Sequence, residues 1–258
     1  MIPWERLLLL FFSAFACGGC VILFKWRNEK ILKLLLSYSG AFILALCLFH
    51  LLPDVYEGLG NAIQAGWLIV SGFLLQLLLD YISGGIEHGH MHTSSHKHDH
   101  HHHHGEHAEQ EHHAHPVMQR FPYLLMLGLS IHAFLEGIPL LFQEDSGELF
   151  TAIIFHNIPI SITLTTLFLI SGKSVKSSLL ALAVFAIMTP AGALTAYFVF
   201  PGGGPEASHF GLMALAVVIG IFLHISTTIL FESDQNHRFN LIKLLSIILG
   251  ILTVLFIH

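Results

Sequence analysis

The sequence contains eight predominantly apolar segments, each long enough to cross a lipid bilayer as a helix. Hydrophobic residues make up 54% of the chain and charged residues 11%, whereas a soluble domain carries about 25% charged residues. Since a backbone in lipid must satisfy its own hydrogen bonds, we predict an all-α, polytopic membrane protein whose 258 residues form one transmembrane domain. The predicted segments are 5–25, 31–52, 61–82, 121–142, 148–171, 174–200, 209–231 and 239–257.

Basic residues predict the orientation of the chain, because they are enriched in the cytoplasmic loops of membrane proteins. With the N-terminus outside, ten of the eleven basic residues fall on the inner side and only Arg6 falls on the outer side. Both termini are therefore expected outside, and the loop 83–120 in the cytosol. The ten inner residues are Lys25, Arg27, Lys30, Lys33, Lys97, Arg120, Lys173, Lys176, Arg238 and Lys243.

The loop 83–120 is rich in histidine, with fourteen histidines between His88 and His115. It has too little apolar content to fold alone, so we expect a flexible segment. Neutral imidazoles bind transition metals, and a tract of them forms many weak, exchanging sites. The candidate ligands of this kind are His98, His100, His101, His102, His103 and His104.

Three polar residues lie deep inside two neighbouring apolar segments: His132 and Glu136 in the fourth, and His156 in the fifth. Charged groups at this depth are costly and usually pair or line a pathway. Counting from the short connecting loop places Glu136 and His156 at matching depth, with His132 one turn away on the same helix face. Two imidazoles and a carboxylate suit zinc, and also iron, manganese or cadmium, and leave one coordination position open.

Two prolines follow these ligands, Pro139 and Pro159, and we expect both inside their helices. Each proline would free a backbone carbonyl one turn earlier, at Leu135 and Phe155. Free carbonyls at membrane depth are tolerated where they face protein, water or an ion path, so the prolines favour a transport function.

Four motifs in order resemble those of the ZIP (Zrt/Irt-like) family of divalent metal transporters, over essentially the whole chain. They are Phe49-His50-Leu-Leu-Pro53-Asp54, His132-Ala-Phe-Leu-Glu136-Gly137, His156-Asn157-Ile-Pro159 and the stretch from Gly220 to Glu232. The resemblance implies zinc as transported substrate, import toward the cytosol, and an alternating-access or elevator-like movement of one helix group against another. It also implies a homodimer and no organic cofactor, with His132, Glu136 and His156 as the transport site.

The chain departs from the family pattern where many members build a second metal position. The residues there are Ala133, Asn157 and Thr189, and Ile160 replaces an acid of the fifth helix. Alanine cannot ligate a metal, and threonine is a poor zinc ligand. We therefore predict one mononuclear site, with Asn157 as an adjoining ligand or a residue that supports the three ligands.

The remaining intramembrane polar groups have weaker interpretations. We interpret His224 as a hydrogen-bonded core histidine rather than a relay, and His50 and Asp54 as groups at the outer mouth that can attract cations. Glu232 is a candidate for metal release at the inner end, although surface solvation explains it equally well. The same two interpretations, metal release or surface solvation, apply to Asp80 near the inner end of the third segment.

Other classes of protein remain as alternatives. An intramembrane zinc hydrolase would also bury histidines and a carboxylate, but the HExxH signature is absent around His132. A metal exporter with a histidine-rich loop would have six spans and a cytosolic C-terminal domain, and a metal sensor or store would need only the loop. No basic face or aromatic platform points to nucleic acid. The short chain favours a bacterial inner membrane.

Overall fold

The computed structural model describes residues 4–24, 28–83, 117–142, 147–201, 203–231 and 241–256, and this part of the chain is a helical bundle without strands. The all-α prediction is therefore confirmed. The helices are α1 (Trp4–Phe24), α2 (Glu29–Leu46), α3 (Leu52–Leu59), α4 (Ala62–Ser83), α5 (Val117–Gly137), α6 (Gly147–Ile170), α7 (Val175–Val199), α8 (Pro205–Phe231) and α9 (Leu241–Val254).

Seven stretches within the described residues are long and apolar enough to cross a membrane, with α2 and α3 forming one continuous stretch, Lys30–Leu59. The eighth predicted segment corresponds to α9, which has 14 described residues. These helices confirm a polytopic membrane protein. The orientation of the termini stays a prediction, and the histidine-rich residues 84–116 lie outside the described residues. Residues 117–120, predicted as loop, are the first turn of α5.

A wide turn of π-helix, Cys47–Leu51, joins α2 to α3, so the second span continues past its predicted end at residue 52. The backbone N–H of Leu52 donates to the carbonyl of Cys47, five residues earlier. Pro53 follows and has no N–H to donate to the carbonyl of Phe49. Such turns add a residue to the helix and are frequent at functional sites. The helix ends at Gly60, whose φ of 61° suits glycine.

The two prolines near the predicted ligands behave differently. Pro159 lies inside α6, as predicted. Pro139 does not lie inside α5, because α5 ends at Gly137 and Pro139 belongs to a short 3-10 turn, Ile138–Leu141. That prediction was wrong because proline, which lacks a backbone N–H, can end a helix as well as kink it.

The first of two closely packed helix sets consists of α1, α5, α6 and α7, and glycines bring its backbones together. A Cβ atom at Gly137 of α5 would overlap the carbonyl oxygen of Thr189 in α7, and one at Gly192 of α7 would overlap that of Phe134 in α5. A Cβ at Gly18 of α1 would meet the carbonyl oxygen of Ser161 in α6 at 3.0 Å. Small residues permit such close approach between membrane helices.

The second helix set consists of α2, α3, α4, α8 and α9. Glycines also allow close helix packing in this set. A Cβ at Gly72 of α4 would overlap the carbonyl oxygen of Val217 in α8, and one at Gly220 of α8 would overlap that of Ile69 in α4. A Cβ at Gly250 of α9 would lie 2.5 Å from the carbonyl oxygen of Tyr38 in α2. These contacts join the backbones of α4 and α8 and those of α2 and α9, whereas Gly40 of α2 and Gly58 of α3 face side chains of α8.

The two sets meet through side chains. Along the α2–α6 interface, the rings of Phe42 and Phe155 have centroids 5.2 Å apart, and those of Tyr38 and Phe155 6.1 Å apart. From α8, the Phe222 ring lies edge-on to His156 with centroids 5.9 Å apart. Among the described glycines, Gly211 approaches the other set closely, and it does so against the side chain of Phe142. The bundle therefore consists of two sets, each containing helix pairs in backbone contact, that meet along a side-chain interface.

Candidate metal site

Two helices of the first set, α5 and α6, carry the three predicted ligands. His132 and Glu136 are four residues apart on α5 and therefore project from the same face. His156 lies on α6, which returns antiparallel to α5 after the short connection, and faces them. The exposed fractions of the three side chains are 0%, 0% and 1%. The polar cluster is thus enclosed by the bundle, as the depth argument predicted.

The ligand atoms of these residues converge. His132 Nε2 lies 2.5 Å from Glu136 Oε1 and 3.3 Å from His156 Nε2, and His156 Nε2 lies 3.8 Å from Glu136 Oε1. In tetrahedral zinc with bonds of about 2.0–2.1 Å, neighbouring ligand atoms are roughly 3.3 Å apart. Within the described part of the chain, this is the group of three or more metal-ligating side chains whose atoms lie close enough to share an ion.

The carboxylate of Glu136 lacks hydrogen-bond partners. Among the described residues, neither Oε1 nor Oε2 has one, although both atoms are buried. Oε1 lies within ion-pair distance of Nε2 of His132 and of His156 instead. A buried carboxylate with unmet hydrogen bonds is costly unless an opposite charge compensates it. A cation at the centre of the three ligands would remove that cost.

Neutral residues surround the cluster where a second metal position would lie. Asn157 and Thr189 are buried, and Asn157 Nδ2 donates a hydrogen bond of 3.3 Å to Thr189 Oγ1. Ala133 and Ile160 belong to one buried apolar cluster. The amide and hydroxyl therefore satisfy each other in part, beside an apolar wall, while Asn157 Oδ1 has no partner among the described residues.

His224 lies away from the cluster, between α8 and α4, and has an acidic partner. Its Nε2 is 2.7 Å from Asp80 Oδ2, and Gln76 Nε2 donates to Asp80 Oδ1 at 2.9 Å. His224 is thus hydrogen-bonded within the bundle, as its core interpretation requires. The solvation interpretation of Asp80 was wrong, because Asp80 is buried. A charged residue inside an apolar segment was the signal that it pairs within the bundle.

The other predicted residues are distributed apart from the cluster. His50 Nδ1 lies 2.9 Å from Glu148 Oε1. Glu148 was not predicted from the sequence as a partner of His50, because the contact joins distant segments. Asp54 is exposed on α3. Glu232 and the loop residues His98 and His100–His104 lie outside the described residues.

Comparison with known proteins assigns the family. The model of the family described as ZIP Zinc transporter matches residues 6–258. The chain belongs to the ZIP zinc transporter family. One relative is the zinc transporter ZIP1 of Danio rerio, which is 24% identical in an alignment covering 86% of this chain and 83% of the relative.

Membership sets the broad function of the chain. ZIP proteins are transporters and not enzymes, so the hydrolase alternative is set aside. The family and the apolar helices together make this an integral, multi-pass membrane protein. The description of the family and the name of the ZIP1 relative both specify zinc transport.

Proposed function

We propose that this protein moves zinc across the membrane toward the cytosol, through a single-ion site formed by His132, Glu136 and His156. The observation that carries the proposal is the buried convergence of two imidazole nitrogens on a carboxylate without hydrogen-bond partners. Packing alone does not account for three such groups facing one another inside an apolar bundle.

Each ligand has a distinct part in the proposed site. Glu136 supplies the one negative charge, and the two imidazoles bind as neutral ligands through Nε2. Three protein ligands leave one position open, whereas structural zinc sites are normally closed by four. The open position lets water or a further ligand enter and leave, so the ion can be loaded and released.

Transport needs access to this site from each side in turn, and the two helix sets supply a way to provide it. All three ligands lie on α5 and α6, in the first set, while Phe222 of the second set covers His156. We propose that the first set moves as a unit against the second, because glycines bring helix pairs within each set into backbone contact. The direction toward the cytosol rests on the basic-residue pattern and on the family resemblance.

Zinc uptake into proteoliposomes tests the proposal. We expect His132→Ala, Glu136→Ala and His156→Ala each to reduce saturable uptake by at least about 100-fold, because each removes one of three ligands. The matched controls are His209→Ala and Glu206→Ala, which remove an exposed histidine and an exposed carboxylate of α8 and should leave uptake near wild type. Uptake that survives all three ligand substitutions would refute the site.

The proposal also covers which metal ions compete with zinc and whether the protein forms a homodimer. We expect iron, manganese and cadmium ions to compete with zinc, since the same ligand types bind them less selectively. Competition assays in the same proteoliposomes measure this. A homodimer and a bacterial inner membrane are retained as expectations, and light scattering of the purified protein tests the first.

A further inference from the structure

A histidine and a carboxylate join the two helix sets at one end of the α2–α6 interface. His50, on the π turn after α2, has its Nδ1 2.9 Å from Oε1 of Glu148 in the first turn of α6. The side chains are 14% and 26% exposed, so the pair lies at the rim of the bundle. We propose that this ion pair is a latch: it holds the sets together at this end, and breaking it opens the interface toward the metal site.

The position of the pair supports a latch, because it lies at the end of a continuous apolar interface. Phe42 and Phe155 contact each other deeper in the bundle, eight residues before His50 and seven residues after Glu148. Between these two levels, Cys47 of the π turn is buried in one apolar cluster with Leu149 and Ile153 of α6. Separation of the rim contact would give water a route to this apolar layer from that end.

The contact is also suited to breaking and re-forming. Helix pairs within each set are in backbone contact, but His50 and Glu148 meet through side-chain atoms. An ion pair at a partly exposed rim contributes little net stability, so it can separate readily. Glu148 is also stabilised by the N-terminus of α6, where a negative charge is favourable, and stays compatible with the helix when His50 moves away.

The latch would act on the metal site through α6. Glu148 precedes His156 by eight residues, about 12 Å along the helix. Because α6 is a rigid element, movement of its end away from α2 also displaces His156 relative to the second set. This inference rests on the proposed function, in which the two sets move against each other.

Cys47 provides a built-in reporter of the interface. Its side chain is fully buried one turn before His50, so a water-soluble maleimide reaches it only when the interface opens. The experiment measures the alkylation rate of Cys47 in the full-length purified protein, with Cys17→Ser and Cys20→Ser removing the other two cysteines. We expect His50→Ala and Glu148→Ala each to raise the rate by about threefold or more, and the double variant to raise it no further.

His50→Lys is the discriminating control, because lysine can also pair with Glu148 but cannot replace an imidazole as a zinc ligand at neutral pH. A latch predicts a rate near that of the starting protein. The proposal is overturned if His50→Ala leaves the rate unchanged, or if His50→Lys behaves like His50→Ala. The rate is measured without zinc or transport, so this result is separate from the uptake assay: loss of uptake in Glu136→Ala tests the metal site alone.

Discussion

At the scale of single residues, Glu136 combines an energetic cost with a proposed role in metal binding. Its carboxylate is buried without a hydrogen-bond partner among the described residues, which destabilises the metal-free protein. The same group supplies the negative charge that a divalent ion needs. Stability and metal binding should therefore respond in opposite directions when this charge is removed.

We predict that Glu136→Gln raises the thermal unfolding midpoint in detergent without metal, by a few degrees, because a neutral amide is cheaper to bury than a carboxylate. In excess zinc the order should reverse, since the unsubstituted protein gains the free energy of binding and the variant gains little. Thermal scans at several zinc concentrations measure both effects. Equal responses to zinc in the two proteins would contradict the role given to Glu136.

A second prediction concerns Ile160, which lies one helical turn beyond His156 on the same face of α6 and is buried. Ile160→Glu should add a carboxylate beside the site, so zinc binds more tightly and leaves more slowly. We expect the KM for uptake to fall by about tenfold and the maximal rate to fall as well. Ile160→Gln, of similar size without the charge, should not lower the KM to the same extent.

The three clustered residues could be predicted from the sequence because their geometry is local. His132 and Glu136 share a helix face, and a short connection fixes the depth of His156 opposite them. The partners of His224 and His50 could not be assigned this way. Asp80 is 144 residues from His224 and Glu148 is 98 from His50, so only the packing of the bundle reveals each contact.

At the scale of elements, hydropathy predicts where the helices are. Helix-breaking residues such as proline predict the helix ends less well. Each apolar segment corresponds to a helix, because length and composition decide this in a membrane. The π turn before Pro53 and the helix end before Pro139 were not predictable, because proline is compatible with a kink, a turn or a helix terminus.

Replacing glycine by alanine should change the stability of the protein in opposite directions at two positions. Gly→Ala in a helix usually stabilises by about 1 kcal/mol. Gly19→Ala in α1 should show that effect or none, since a Cβ there meets open space. Gly192→Ala should instead lower the unfolding midpoint and impair uptake, because its Cβ would overlap the backbone of Phe134. Thermal unfolding of the two purified variants checks this, and similar shifts would contradict the proposed locking within the first set.

At the scale of the whole molecule, the two helix sets and the histidine-rich loop have different proposed roles. The proposed transport ligands lie within the first set, whereas the loop follows α4 of the second set and lies outside the described residues. The sequence predicted the number of apolar segments but not the division into two sets, which depends on which helices meet at glycines.

We predict that deletion of residues 88–115 leaves basal zinc uptake largely intact and changes its sensitivity to metal concentration, since weak exchanging sites concentrate or sense the ion without carrying it. Uptake in proteoliposomes over a range of zinc concentrations measures both. If the deletion abolished uptake while the three ligand substitutions did not, the site assignment would be abandoned.

The central claim is that one divalent ion is held between α5 and α6. Anomalous scattering from a zinc-soaked crystal tests it most directly, because it locates each ion independently of transport. We predict one strong anomalous-difference peak inside the helical bundle, within about 2.0–2.2 Å of ligand atoms of His132, Glu136 and His156. Two peaks at the cluster, or a peak elsewhere in the bundle with the cluster empty, would contradict it.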